Sequence, residues 1–171
     1  MTKSSIKVVC DAGPLIHLDE LNCLELFADF EEIVLPLVVE REILDHRPSA
    51  LLDKDLNINR SLERIAIGEE LLTLCQIFSL DAGEIEALAL MERNPQHILL
   101  TDDAAARLVA EKMKFKVHGT IGVLIRSIRR RMRKPDEILH ILADIPQTST
   151  LHIKSSLLNE IIHMVKSEFG L

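Results

Sequence analysis

Short runs of aliphatic and β-branched residues alternate with longer stretches of helical periodicity along most of this chain. The runs that predict strands cover residues 6–10, 33–35, 64–67, 97–100 and 116–118. Strands that alternate with helices usually form a parallel sheet with helices packed on both faces. The alternation therefore predicts an α/β fold with a central parallel sheet.

Helical periodicity fills the intervals between these runs and the C-terminal part of the chain. Pro14 suits the first turn of a helix with Gly13 as its cap, and Pro36 suits the start of the next helix. Further helices are predicted over residues 69–78, 82–93, 104–113, 120–132 and 154–168, and from residue 135 onward. Residues 47–62 are polar and irregular, so we expect a surface excursion there.

Length and composition set the limits of this fold. A chain of 171 residues, 47% of them hydrophobic, suits one domain with a sizeable core. That core is expected to be aliphatic, because the sequence has no Trp or Tyr and five Phe. We predict a single domain over residues 1–171, with its core over about residues 6–131 and a helical C-terminal extension over about residues 135–171.

The cysteines and the hydropathy pattern indicate the cellular setting. Cys10, Cys23 and Cys75 stand apart without a CxxC motif, which favours buried thiols in a reducing compartment over disulfides or a zinc site. No stretch is long and apolar enough to span a membrane, and the opening residues lack the pattern of a secretory leader. We therefore expect a cytoplasmic protein with no membrane partner.

Aspartates directly follow two of the predicted strands. Asp11 follows the run VVC, and Asp102 follows the run ILLT. Ligands of open parallel sheets bind outside the carboxyl ends of the strands, so both carboxylates are expected to face one crevice. A purely structural role for Asp102, as the cap of the next helix, is equally open. Asp103 also has a structural interpretation, because it lies four residues before Arg107 and suits a helical ion pair.

Two glutamates on predicted helices project along apolar faces. Glu42 lies within the apolar stripe of its helix, whereas Glu40 projects from the far side. A buried carboxylate is costly unless something pairs with it, so a buried ion pair is the alternative interpretation of Glu42. Glu84 also points along an apolar face, but Asp81 and Glu84 have the spacing of a capping box.

The four acids Asp11, Glu42, Glu84 and Asp102 together predict a metal site. Carboxylates that are brought together raise one another's pKa, and a divalent cation removes that cost. Oxygen ligands without Cys or His suit Mg²⁺ or Mn²⁺, which can activate a water and stabilise charge on a phosphodiester. The sequence has no HxxxH or HxH pair and no GxxxxGK[ST], GxGxxG or GxSxG motif. Zinc sites, nucleotide-binding loops and serine hydrolases are therefore unsupported.

The chain resembles the PIN-domain nucleases through five segments in order, VVCDAGPLI, LPLVVEREI, LDAGEIEALAL, ILLTDDAAARLVAE and VHGTIGVLI. The resemblance covers about residues 6–131 and is closest to relatives of the VapC-type toxins that are described as predicted nucleic-acid-binding proteins. It implies a three-layer α/β/α fold, a metal-dependent endoribonuclease, a homodimer and, for toxins, an antitoxin partner. The acidic ligands that it implies are Asp11, Glu42, Glu84 and Asp102, with Asp103 as an additional metal ligand.

Two features of this chain bear on that resemblance. Many relatives have Ser or Thr just after the first aspartate, whereas this chain has Ala12 and Gly13. The acid of the second helix is assigned to Glu42 and not Glu40, because the helical phase and the spacing from Pro36 both favour it.

One dense basic stretch, RSIRRRMRK at residues 126–134, stands out in a chain with a net charge of −7. A nucleic acid must meet such a protein at a local basic patch. The candidate phosphate contacts, expected beside the acidic crevice, are Arg126, Arg129, Arg130 and Arg131. The alternative is a solvated helix end whose cations offset the helix dipole.

The sequence therefore predicts an endoribonuclease that depends on Mg²⁺ or Mn²⁺ and cleaves RNA phosphodiester bonds, as the toxin of a toxin–antitoxin pair. The alternative from another class is a non-catalytic module of the same fold that binds nucleic acid or a peptide. A phosphatase with Asp11 as nucleophile is disfavoured, because Gly13 stands where a second aspartate is expected.

Overall fold

The computed structural model describes residues 4–61 and 65–170. The strands are β1 (Lys7–Cys10), β2 (Glu32–Pro36), β3 (Ile58–Ser61), β4 (Ile98–Leu100) and β5 (Lys116–His118). The helices are α1 (Ala12–Glu20), α2 (Leu37–His46), α3 (Glu69–Ile77), α4 (Ala82–Arg93), α5 (Ala104–Lys112), α6 (Thr120–Arg129), α7 (Pro135–Thr148) and α8 (Ser155–Phe169). Short 3₁₀ turns cover Leu24–Asp29 and Pro48–Leu51.

The strands form one parallel sheet in the order β3-β2-β1-β4-β5. β1 lies at the centre, where Val8 pairs with Ile33 of β2 and with Ile98 of β4. From β1 the chain builds first toward β3 on one side and later toward β5 on the other. The strand order therefore reverses between β1 and β4, which opens a crevice at the carboxyl ends of these two strands.

Helices cover both faces of the sheet, as predicted. Val8 points to a hydrophobic cluster that includes α1, α2, α6, α7 and α8, and Val9 points to a cluster that includes α3, α4 and α5. Successive residues of a strand point to opposite faces, so β1 contributes to both clusters. The three-layer α/β/α fold is thus confirmed, and its C-terminal helices share the cluster that contains the first strand.

One strand departs from the sequence prediction. β3 lies inside the segment expected to be irregular and pairs in parallel with β2, whereas residues 65–67, predicted as a strand, are irregular. Arg64, the first residue of that predicted strand, lies outside the described residues. The sequence of β3 is INRS, which has no apolar pattern, so its extended state depends on pairing with β2.

Two helix boundaries also differ from the prediction. α1 begins at Ala12 with Asp11 as its N-cap, whereas the sequence favoured Gly13 as the cap. α6 ends at Arg129 because Arg131 adopts a left-handed backbone with φ of 58°. No helix in the described part of the chain is long and apolar enough to cross a membrane.

Candidate functional site

A cleft of about 310 Å³ lies at the carboxyl ends of β1 and β4. The strand order reverses at this point, and such switch points are the usual ligand sites of parallel sheets. Its carboxylate lining is formed by Asp11, Glu42, Asp81, Glu84, Asp102 and Asp103. The structure therefore brings all five acids proposed from the sequence to one cleft, together with Asp81, which had been considered only as a helix cap.

Asp11 caps α1 through its backbone and leaves its side chain to the cleft. The residue is extended, with φ of −79° and ψ of 170°, and its side chain makes no capping hydrogen bond. Thr101 Oγ1 donates to Asp11 Oδ2 at 3.0 Å. Burial raises the pKa of Asp11 to about 6, and the charges of Glu42 and Asp81 add to this rise. Asp11 thus carries a poorly compensated charge at the end of the central strand.

Glu42, not Glu40, faces the cleft from α2. Glu40 pairs with Arg60 at the edge of the sheet. Burial raises the pKa of Glu42, and the charge of Asp81 raises it further. A Cβ atom at Gly83 would lie 3.6 Å from Glu42 Oε2, so α4 approaches α2 closely at that glycine. The choice of Glu42 by helical phase agrees with this placement.

The capping box and the cleft share the same two residues at the start of α4. The backbone N–H of Glu84 donates to Asp81 Oδ1 at 2.9 Å, and the backbone N–H of Asp81 donates to Glu84 Oε2 at 2.9 Å. Burial raises the pKa of Glu84 to about 7, with contributions from the charges of Asp103, Asp81 and Asp11. A structural role and a place in the acidic site therefore coexist at Glu84.

Asp102 is held by donors from α1 and α6. The backbone N–H of Thr120 donates to Asp102 Oδ1 at 2.7 Å, and Thr120 Oγ1 donates to Oδ2 at 2.5 Å. His17 Nδ1 forms a third hydrogen bond to Oδ2 at 2.7 Å. A Cβ atom at Gly119 would lie 2.4 Å from Asp102 Oδ1, so this packing requires glycine. Asp102 thus lines the cleft with both oxygens already engaged.

Asp103, and not Asp102, is the side-chain cap of α5. Its Oδ1 accepts from the backbone N–H of Ala106 at 2.8 Å. The helical ion pair between Asp103 and Arg107 is not found among the described residues. Arg107 Nη2 instead donates to the carbonyl oxygen of Thr101 at 3.2 Å.

The loop between α7 and α8 supplies cleft residues that sequence reasoning missed. Thr150, Leu151 and His152 line the cleft. Glu20 at the end of α1 anchors the loop, because its Oε2 accepts from Ser149 Oγ and from the backbone N–H of Thr150, each at 2.7 Å. No local sequence pattern marks this loop.

His17 was missed as well, although a signal for it exists. It lies four residues after Gly13 on α1, so both residues share the helix face that meets Asp102. A Cβ atom at Gly13 would lie 3.5 Å from Asp102 Oδ2 and 3.5 Å from His17 Cε1.

The arginine cluster lies away from the acidic cleft. α6 begins beside Asp102 and runs for 10 residues, which is about 15 Å at 1.5 Å per residue. At its far end, Arg126 Nε and Arg130 Nε donate to the buried Asp29 at 2.9 and 3.0 Å. Asp29 precedes β2, so this contact lies toward the amino end of the sheet. The expected position of the patch beside the acidic crevice is therefore not observed.

The other two candidate arginines differ from each other. Arg129 donates through Nε and Nη2 to the two carboxylate oxygens of Glu168, both at 3.0 Å. Arg131 is exposed beyond the end of α6. Arg126, Arg129 and Arg130 thus already bind carboxylates of this chain, and a phosphate would have to compete with them.

The donor set of the cleft fits a hard divalent cation in its chemistry. Its acidic groups all offer carboxylate oxygens, and burial and neighbouring carboxylates raise the pKa of Asp11, Glu42 and Glu84, so the charged forms of these groups are destabilised in the absence of a cation. No hydrogen-bond donor contacts the Glu42 carboxylate within the described ranges. In those same ranges no three acidic, His or Cys side chains stand in a metal-holding arrangement. The charge and the oxygen donors of the cleft therefore suit a divalent cation, whereas the described side chains are not close enough to one another to hold it together.

Comparison with known proteins identifies the family of the chain. A family model named DUF3368 and described as a PIN domain matches residues 7–167. No curated protein and no solved structure matches the chain. The matched region runs from β1 into α8 and includes every segment that lines the acidic cleft. The chain therefore belongs to the PIN-domain family.

Proposed function

We propose that the protein is an endoribonuclease that depends on Mg²⁺ or Mn²⁺ and cleaves phosphodiester bonds of RNA. The observation that carries the proposal is the acidic cleft at the point where the strand order reverses. Membership of the PIN-domain family supports a nuclease-type fold. The residues proposed to carry the chemistry are Asp11, Glu42, Glu84 and Asp102, with Asp103 beside them.

The chain's own residues are proposed to hold and orient the cation. A divalent cation would supply an activated water and stabilise the charge that develops on the phosphodiester. Asp11, Glu42 and Glu84 offer it carboxylate oxygens whose charge is poorly compensated. The hydroxyl that contacts the first acid comes from Thr101 at the end of β4, since Ala12 follows Asp11.

Cleavage of single-stranded RNA with Mn²⁺ tests this proposal. Asp11→Asn is expected to lose activity by more than about 100-fold, because metal catalysis supplies several kcal/mol of charge stabilisation. Asp144→Asn is the matched control, because Asp144 is exposed on α7, and it should cleave like the wild type. Equal activity of the wild type and Asp11→Asn would identify a contaminating nuclease and contradict the assignment.

The alternative is a non-catalytic module that binds RNA or a peptide through the same fold. Two observations favour it, the full engagement of Asp102 and the lack of a metal-holding group of three side chains in the part of the chain that the structure describes. A melting curve with Mn²⁺ separates the two functions. Stabilisation by Mn²⁺ in the wild type that Asp11→Asn abolishes supports the enzyme, whereas no response to Mn²⁺ supports the module.

Toxin function, an antitoxin partner, a homodimer and a cytoplasmic location are further parts of the proposal. They rest on the family resemblance and on Cys10, Cys23 and Cys75, which are free and buried, as suits a reducing compartment. Light scattering during size-exclusion chromatography measures the oligomeric state. Growth arrest on expression, relieved by a small neighbouring gene, would support the toxin role, and unimpaired growth would oppose it.

A further inference from the structure

A second cavity of about 300 Å³ adjoins the acidic cleft across Asp102. The two cavities share Asp102, Leu151 and His152, whereas Arg107 and His118 line the second cavity and not the acidic cleft. Its apolar lining is formed by Ile121, Leu151, Ile153, Leu157 and Ile161. The second cavity therefore combines an apolar wall with cationic and imidazole side chains, next to the cleft where cleavage is proposed.

Arg107 has no acidic partner in this cavity. Its Nη2 donates to the carbonyl oxygen of Thr101 at 3.2 Å, and no carboxylate within the described ranges forms an ion pair with it. An arginine has five N–H donors, so several stay available to a ligand. This differs from Arg126 and Arg129, whose guanidinium groups bind Asp29 and Glu168.

Two glycines keep the cavity open. A Cβ atom at Gly119 would lie 3.1 Å from Arg107 Nη2, and one at Gly122 would lie 3.2 Å from His118 Cβ. Both contacts are closer than ordinary packing allows. The open space beside Arg107 therefore depends on glycine at positions 119 and 122.

The hydrogen-bond donors that line the cavity can bind an anion. Asp102 is its one described carboxylate, and the oxygens of Asp102 already accept from His17 and Thr120. Burial lowers the pKa of His118, and the charge of Arg107 lowers it further. Arg107 thus has N–H groups that no carboxylate of the described chain accepts, and its planar guanidinium matches the geometry of a phosphate.

We propose that this cavity binds one nucleotide unit of single-stranded RNA, with Arg107 on its phosphate and its base or ribose against the apolar wall. The nucleotide would be adjacent to the bond that is cut, so the proposal rests on the proposed function of the acidic cleft. Arg107 is the main anchor, and His118 and His152 offer ring nitrogens at its sides. The cavity volume is at the lower end of the range for ligand pockets, which suits one unit of a longer strand.

Binding of a fluorescent single-stranded RNA in EDTA, measured by anisotropy, tests the proposal without cleavage. Arg107→Gln is expected to bind about tenfold more weakly and to reduce the slope of log affinity against log salt by about 0.7, the value for one phosphate contact on a single strand. Lys112→Gln removes the same charge from the exposed end of α5 and should stay within about twofold of the wild type.

A second variant keeps the test decisive if Arg107→Gln folds poorly. Leu157→Glu adds a negative charge at an exposed position that lines the second cavity but not the acidic cleft and should also weaken RNA binding. Wild-type affinity in a folded Arg107→Gln protein would overturn the proposal, and if that variant does not fold, wild-type affinity in the second variant would overturn it. Tighter binding of a polyglutamate peptide than of RNA would overturn it too, because the cavity would then be a site for acidic peptides.

The cleavage assay separates this proposal from the proposed function. If Asp11→Asn abolishes cleavage while Arg107→Gln leaves RNA affinity unchanged, the subsite is refuted and the nuclease assignment stands. If Arg107→Gln weakens RNA binding while Asp11→Asn still cleaves like the wild type, the subsite stands and the nuclease assignment is refuted.

Discussion

Replacement of Asp11 by asparagine should make the metal-free protein more stable. The Asp11 side chain is 9% exposed, and burial together with the Glu42 and Asp81 charges raises its pKa from 3.8 to about 6. At about 1.36 kcal/mol per pKa unit, the ionised form lowers the free energy of unfolding by about 3 kcal/mol. Asparagine keeps an oxygen that can accept the Thr101 hydroxyl and has no charge to desolvate.

The expected gain for Asp11→Asn is about 2 kcal/mol at pH 7.5 without metal, because burial of the amide offsets part of the relief. Its pH dependence follows from linkage. Folded Asp11 holds its proton more tightly than unfolded Asp11, so the stability of the wild type falls as pH rises from about 4 to about 6. The advantage of the variant is therefore greatest above pH 6 and fades toward pH 4.

Urea unfolding in EDTA at pH 4 and pH 7.5 measures both quantities. A gain of about 2 kcal/mol corresponds to a rise of about 4–8 °C in melting temperature for a chain of this size. Asp144→Asn, at an exposed aspartate of α7, should change stability by less than about 0.5 kcal/mol. Lower stability of Asp11→Asn at pH 7.5, or a gain that persists at pH 4, would refute the reasoning.

Two further predictions concern packing and charge away from Asp11. Gly119→Ala should lower the free energy of unfolding by about 1–3 kcal/mol, because its Cβ atom would lie 2.4 Å from Asp102 Oδ1. Gly13→Ala should be neutral or stabilising by up to about 1 kcal/mol, because the nearest contacts of its Cβ atom would be at 3.5 Å. Asp29→Asn should cost about 3–5 kcal/mol, because it removes the buried charge that Arg126 and Arg130 both contact. Glu168→Gln at an exposed pair should cost less than about 1 kcal/mol. Urea unfolding measures the stability of all four variants. Equal changes in the free energy of unfolding for the two glycine variants, or for the two acid variants, would contradict the argument.

The sheet could be predicted wherever the strands are apolar. β1, β2 and β4 are buried aliphatic runs, and α4 was predicted at its observed bounds of Ala82–Arg93. β3 could not be predicted, because INRS has the composition of a loop and becomes extended only by pairing with β2. Local propensity is a weak guide at such a sheet edge, where the tertiary contact decides the structure.

The acidic cleft was predictable in part. Asp11 and Asp102 follow strands of a parallel sheet, and this topology places both at one edge without any knowledge of side chains. The helical phase of α2 was enough to choose Glu42. His152 could not be found, because its position depends on how Glu20 anchors a loop that is distant in sequence. The position of the arginine cluster required the direction of α6 as well as its composition.

The carboxylates of the cleft differ in how their charge is compensated, and this difference assigns them different tasks. Asp102 accepts three hydrogen bonds and thereby fixes the end of β4 against α1 and α6. Asp11, Glu42 and Glu84 keep raised pKa values, first because of burial and then because of one another and their acidic neighbours. A bound divalent cation would neutralise the charges of Asp11, Glu42 and Glu84, and it would gain less from Asp102, whose oxygens already accept hydrogen bonds.

The same contrast distinguishes the two adjacent cavities. Asp102 takes its donors from His17 and Thr120, whereas Arg107 donates to the carbonyl oxygen of Thr101. Asp102, whose oxygens accept three hydrogen bonds, thus lies between a cleft lined by further carboxylates and a cavity lined by Arg107. An RNA strand that crosses Asp102 would meet oxygens suited to a cation on one side and a guanidinium suited to its next phosphate on the other. The affinity of the protein for RNA would then depend on Arg107, and its rate of cleavage on Asp11.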